Sequence, residues 1–190
     1  DYIESFKVNT LGAIISIKTT KDILKKNKGS ILLFSSVAVK TGFMNHTIIS
    51  TAKGGVEALT VSLAAELAPD IRVNCISPSL TDTGMTKSIT SNENLRKAIE
   101  LLHPIPRIGQ PSDHSKLAAL LLNNSSNWIT GQIFNVDGVT ALATPFGSST
   151  LTSDNVSLPG YTVVKVTGTN EIVFGLNANV TFTDADVTVA

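Results

Sequence analysis

The chain has 190 residues, of which 42% are hydrophobic, with fifteen basic and fifteen acidic side chains that cancel. That is enough apolar material for one domain with a true core, and the neutral balance gives no electrostatic reason to expect nucleic acid or an anionic membrane as partner. A single cysteine, Cys75, excludes an internal disulfide, as suits the cytoplasmic, reducing setting we expect. No apolar run reaches the ~18 residues a transmembrane helix needs.

Residues 1–27 place Ile3, Phe6, Leu11, Ile14, Ile15, Ile17, Ile23 and Leu24 at helical spacing. Lys25, Lys26 and Lys28 crowd the end, where cations suit the helix dipole, and Gly29 stops the helix. Ser30–Ser35 is a short apolar run, read as a parallel strand buried on both faces. Residues 47–67 form the next helix, closed by Pro69, and residues 71–77 a second buried strand closed by Pro78. Residues 82–102 are polar and then helical. Residues 111–122 make a further helix opened by Pro111-Ser112-Asp113, and residues 131–136 a third strand. Helices alternating with apolar strands predict a parallel α/β sheet.

The style changes near residue 143. Residues 144–190 hold one lysine and no arginine. Residues 147–153 are rich in serine and threonine, as linkers are. Residues 161–167, 171–174 and 180–183 alternate and are β-branched, with turn-like segments at 168–170 and 177–179, which predicts a β-meander. The expected organisation is therefore one α/β region over 1–143 and a linker with a β-rich extension over 144–190.

Several segments carry a resemblance when taken in order. They are Phe6–Gly12 with Asn9 at its centre, Ser35-Ser36 at the end of the first strand, and Ser50-Thr51-Ala52-Lys53-Gly54-Gly55 opening the second helix. Then come Arg72–Pro78 leading into Ser79–Thr83, Arg107–Pro111, and Ile129–Gly138. Over about 140 residues the chain resembles the short-chain dehydrogenase/reductase family, close to the 3-oxoacyl-carrier-protein reductase type. The resemblance implies the C-terminal part of a Rossmann-type doubly wound parallel sheet, its last three strands and their helices, followed here by the β-rich tail. It also implies an oxidoreductase using NAD or NADP on a small-molecule carbonyl or alcohol substrate. The glycine-rich phosphate loop that opens the family's fold is missing from these residues, so the adenosine half of a cofactor site is not expected in them.

In the family an Asn, a Ser, a Tyr and a Lys cooperate, with Tyr and Lys at i and i+4 on one helix face. The ammonium lowers the phenol pKa, and the phenol exchanges a proton with the substrate oxygen. By resemblance, Asn9, Ser36 and Lys53 fill three of these positions, and Ile49 stands where the tyrosine belongs. Lys53, Pro78, Ser79, Thr81 and Thr83 match positions that contact the cofactor. The other reading of Thr81 and Thr83 is helix capping.

An isoleucine cannot donate a proton, which leaves three readings open. His46, three residues before Ile49, donates instead; or water held by Ser36 and Lys53 serves; or the chain is a catalytically silent member acting as a binding or assembly subunit. The two tyrosines, Tyr2 and Tyr161, are far from the motif in sequence. Cys75 reads as a small core residue, His103 as a loop residue, and no spacing resembles a metal site. A homodimer or homotetramer through helices 1–27 and 47–67 is expected, because both carry apolar residues beyond a single stripe.

Overall fold

The computed structural model describes residues 1–138 in full and, beyond them, the backbone of three short strands. Two compact units divide the chain, Asp1–Thr144 and Pro145–Ala190.

The first unit is built on a three-stranded parallel sheet in the order β1-β2-β3, with β1 Ser30–Phe34, β2 Arg72–Pro78 and β3 Ile133–Val136. Ser30 pairs with Arg72 and Phe34 with Ile76, while Cys75 pairs with Ile133 and Pro78 with Val136. The parallel register puts the carboxyl ends of all three strands on one edge, where the candidate residues gather.

The amino-terminal helical stretch is helical throughout but not uniform. α1 (Tyr2–Phe6) passes into a π-turn at Lys7–Leu11 and then into α2 (Gly12–Lys26). Apolar periodicity cannot distinguish such a turn from plain α-helix, because it adds one residue without ending the helix. Asp1 caps the start by accepting from the Ile3 amide, and Lys25 and Lys26 lie in the last turn, where cations oppose the dipole. A short helix α3 (Ala38–Thr41) follows β1, and α4 (Thr47–Leu67) joins β1 to β2.

Strand alternation sorts the two faces of the sheet. Ile31 and Val73 face a core shared with Ile17 of α2 and Ala64 of α4, closed by Ile71, Leu24, Leu33, Leu59, Leu63 and Leu67. Full burial of a side chain such as Ile71 or Val73 stabilises the fold by roughly 1.5–3 kcal/mol. One residue out of phase, Ser30 donates to the Leu121 carbonyl at 3.0 Å. Arg72 donates to Leu121 O at 2.8 Å and to Asn123 O at 3.0 Å. These contacts seat the carboxyl end of α7 (Pro111–Leu122) against the opposite face and satisfy carbonyls that the helix itself leaves open.

The expectation that β1 is buried on both faces needs correcting. Only Ile31 is fully buried, and Phe34 is 45% exposed. β1 is the outer strand of this sheet, and its free edge carries no partner among the described residues. β2, flanked on both sides, is buried from Val73 to Ser77. The polar stretch before α7 breaks into a 3₁₀ turn (Gly84–Thr86), α5 (Lys87–Thr90) and α6 (Glu93–Glu100).

In the second unit, β4 (Ser157–Leu158), β5 (Tyr161–Lys165) and β6 (Ile172–Leu176) form an antiparallel sheet in sequence order. The expected turns at 168–170 and 177–179 and the expected strand at 180–183 lie outside the described residues. No helix among the described residues is long and apolar enough to cross a membrane.

Candidate functional site

Three polar segments meet at the carboxyl edge of β1 and β2. The Val37 amide donates to the Pro78 carbonyl at 3.1 Å and the Ser35 amide to Ile76 at 2.8 Å, which ties the loop carrying Ser36 to the loop that begins at Pro78. Ser36 is half-buried, and its Oγ accepts from the Ala38 amide at 3.2 Å. Ser50, in the first turn of α4, donates to the Ala38 carbonyl at 2.9 Å and fixes the start of that helix beside the Ser36 loop. One turn later the Lys53 ammonium donates to the Phe34 carbonyl at 2.8 Å. That bond uses one of three N–H donors and holds the charge at the end of β1. Burial lowers the Lys53 pKa below the ordinary ammonium value, with neighbouring Cys75 working the other way.

Beneath Lys53 lies a buried polar cluster. Glu57, one turn along α4 and 8% exposed, accepts from Ser35 Oγ at 2.8 Å and stands 4.0 Å from Lys40 Nζ. Cys75 is fully buried on β2, and its thiol is pushed up to about 11, first by burial and then by the charge of Glu57. It is therefore a neutral thiol at physiological pH and a core residue, with none of the thiolate character a nucleophile needs.

Asn9 lies on the π-turn, half-buried, and donates to the Ser5 carbonyl at 2.9 Å. Its neighbour Thr10 donates to the Ala52 carbonyl of α4 at 2.7 Å, which locks the turn against the helix that carries Lys53. Ile49 is half-buried in the first turn of α4. His46 is the residue preceding that helix. It is exposed, with Nδ1 on the Met44 carbonyl at 2.7 Å and its ring 5.4 Å from that of Phe43. No contact joins it to Ser36 or Lys53 among the described residues. Tyr2, distant in sequence, comes to the same helix start, where its hydroxyl donates to Thr47 Oγ1 at 3.0 Å.

The Pro78–Thr83 loop carries the remaining candidates. Ser79 Oγ pairs with His103 Nε2 at 2.8 Å, and Thr81 Oγ1 with His114 Nε2 at 2.9 Å. Thr83 caps the 3₁₀ turn through a reciprocal pair with Thr86, so the capping reading of that residue holds in the structure. Asp82 accepts from Thr90 and Arg96, and those bonds lower its pKa. From sequence alone His103 reads as a loop residue and His114 carries no signal. Both are buried, at 5% and 7% exposure. Their partners lie 24 and 33 residues away, so no local spacing could have found them. No cluster of three metal-ligating side chains exists among the described residues.

Comparison with known proteins agrees with this architecture. Residues 1–139 match the family described as Enoyl-(Acyl carrier protein) reductase. A 3-oxoacyl-[acyl-carrier-protein] reductase of Chlamydia trachomatis is 36% identical over 135 residues, covering 69% of this chain and 54% of that protein. A short-chain type dehydrogenase/reductase from Mycobacterium ulcerans superposes with a TM-score of 0.70 at 28% identity, covering 74% of this chain and 52% of that one. A small-chain dehydrogenase solved in complex with NADPH gives 0.68 at 30% identity, covering 74% and 64%. The chain spans about half the length of the curated relatives it matches. Parallel sheet, helix order and this matched stretch together place the chain in the short-chain dehydrogenase/reductase family of oxidoreductases.

Proposed function

We propose that these residues form the substrate-side half of an NAD(P)-dependent oxidoreductase acting on a small carbonyl or alcohol, with Ser36 and Lys53 at its centre. The observation that carries this reading is the convergence of Lys53, Ser36 and the Pro78 loop on the carboxyl edge of β1 and β2, the place where ligands bind in open α/β sheets. A bound nicotinamide would supply the hydride. The chain's own residues fit such a group: Lys53 keeps two N–H donors beyond its bond to Phe34, enough to hold a ribose diol. The Ser36 hydroxyl is free to donate to a substrate oxygen, since its one described bond is an accepted one. Asn9 stays with the π-turn as a support. Pro78, Ser79, Thr81 and Thr83 form the loop that would border the nicotinamide. NADPH bound in a structural relative supports this cofactor class, with NAD the other form.

Ile49 occupies the position at which the family's phenol would stand, four residues before Lys53 on the same face of α4. It favours a second reading, a silent member that keeps the scaffold for binding or assembly. His46 is a poor replacement, because it is exposed and no described contact joins it to Ser36 or Lys53. These 190 residues contain no glycine-rich phosphate loop of the family's kind, so by themselves they should bind NAD(P) weakly. The apolar side chains Ile3, Phe6, Val8, Ile15 and Ile23 along α1–α2 and Val61 on α4 are exposed, which supports a homodimer or homotetramer through these helices.

The test is a chimaera in which the amino-terminal half of the Chlamydia relative precedes Asp1, assayed by cofactor absorbance with a panel of ketones. Activity lost in Ser36→Ala and Lys53→Ala supports the enzyme. Cofactor binding without turnover, with turnover gained by Ile49→Tyr, supports the silent scaffold. Sedimentation of the chain as a monomer would remove the proposed assembly.

A further inference from the structure

A pocket of about 230 Å³ opens beside the Pro78–Thr83 loop, between the ends of β2 and β3 and the first turn of α7. Asn9, Ser36 and Lys53 take no part in its walls. Leu80, Ile105 and Val136 make it largely apolar, and Ser79, His103 and His114 bring the polar atoms that matter here.

The hydrogen bonds fix the tautomer of the neutral His103 ring. Its Nδ1 lies 2.8 Å from the Ile99 carbonyl, and a carbonyl can only accept, so the ring proton is on Nδ1. Nε2 is then a lone pair, and the Ser79 hydroxyl donates to it at 2.8 Å. The ring is 5% exposed and hemmed in at its edge, since a Cβ at Gly138 would stand 3.5 Å from His103 Cδ2. A hydroxyl, a base aimed at its proton, and a carbonyl that orients the base make up the nucleophile–base–orienter arrangement of acyl-transfer sites.

We propose that Ser79 is an activated nucleophile that takes the acyl group of a small carboxylic ester in this pocket. Ser79 Oγ bonds to the ester carbonyl carbon as its proton passes to His103 Nε2. The bond from that carbon to the alcohol oxygen breaks, and the departing oxygen takes the proton from His103. The products are an acyl-serine and a free alcohol, with no oxidant, metal or cofactor required. The pocket shares Ser79 and Thr81 with the loop that would border the nicotinamide, but the acyl transfer itself uses no dinucleotide. The pocket is small and lined by Leu80, Ile105 and Val136, which suits a short acyl group.

The test exposes the intact chain to p-nitrophenyl acetate and maps the acetylated residues by mass spectrometry. The expected result is one acetyl group on Ser79, appearing far faster than on serines elsewhere in the chain. His103→Gln should slow that labelling by about 100-fold, the contribution of a positioned general base, with the fold checked by circular dichroism. Acetylation confined to surface lysines with Ser79 unmodified would overturn the proposal. So would labelling of Ser79 at an unchanged rate in His103→Gln.

Discussion

Gly55 of α4 faces Thr10 of the π-turn so closely that a Cβ on the glycine would stand 3.0 Å from Thr10 Cγ2 and 3.1 Å from its Oγ1. Thr10 has little room to yield. It is 4% exposed, β-branched, and held by its 2.7 Å bond to the Ala52 carbonyl. The neighbouring Gly54 has nothing nearer than Val39 Cγ1 at 3.8 Å. The two glycines therefore answer the same substitution with opposite signs. Gly54→Ala should stabilise by roughly 0.5–1 kcal/mol, the ordinary helix-propensity gain. Gly55→Ala should destabilise by about 1 kcal/mol, because overpacking of roughly 1–3 kcal/mol exceeds that gain. Urea denaturation of both variants checks this. A Gly55→Ala variant more stable than wild type would show that the π-turn yields freely.

The buried carboxylate of Glu57 gives a second prediction. It has Ser35 at 2.8 Å and Lys40 at 4.0 Å, and the whole residue is 8% exposed. Ser35→Ala leaves a buried acceptor short of a donor, which costs about 1–3 kcal/mol. Lys40 is half exposed, so Lys40→Ala removes a screened pair and should cost under ~1 kcal/mol. The expected order in chemical denaturation is Ser35→Ala well below Lys40→Ala. Equal losses would mean that the ion pair, and not the hydrogen bond, satisfies Glu57.

The parts of this molecule that were legible in the sequence are those written in local period. α4 and α7 run over the residues their apolar spacing and flanking prolines mark, and the three apolar runs became β1, β2 and β3. The π-turn was invisible because the pattern of apolar residues passes through it unbroken. Ser36 and Lys53 could be picked out because their segments resemble a family motif. His103 and His114 could not, since each is paired with a hydroxyl of the Pro78–Thr83 loop, far from it in sequence. Tyr2 shows the same limit: its bond to Thr47 joins residues 45 apart. The exposure of Phe34 reflects a strand edge, a property of the sheet that the strand's own residues cannot announce.

Arg107 and Asp113 give a prediction in acid. The guanidinium donates to both carboxylate oxygens, at 2.6 and 2.9 Å, and the Gln110 amide donates at 2.7 Å, with the result that the carboxyl is held down at about 2. A carboxyl whose pKa is lower in the folded state binds its proton less readily there than when unfolded. Its stabilisation is therefore complete above the ordinary value near 3.8 and is lost as pH falls toward 2. Wild type should exceed Asp113→Asn in urea midpoint near neutral pH, and the margin should shrink steadily below about pH 4. A margin independent of pH would show that the difference comes from packing at the start of α7.

His114 gives a loss of stability in the same direction, but at higher pH. Burial lowers its pKa below 6.5, although Asp113 nearby pulls the other way. Thr81 Oγ1 donates its one proton to the Ser79 carbonyl at 3.0 Å, so the bond to His114 is donated by Nε2. Nδ1 is then a buried acceptor without a partner. The unfolded chain takes up a proton near the ordinary histidine value while the folded ring resists it. Folding stability should accordingly fall as pH drops through 6.5 and keep falling until the ring is protonated in the folded state. The groups facing the ring are Thr81 from the β2 loop and Asp113 from its own helix, and Asp113 is already ionised across this range. His114→Leu removes the titrating group and the unpaired acceptor together. Thermal melts between pH 7 and 5 should show a smaller drop for His114→Leu than for wild type, and parallel curves would mean that the loss of stability comes from another histidine.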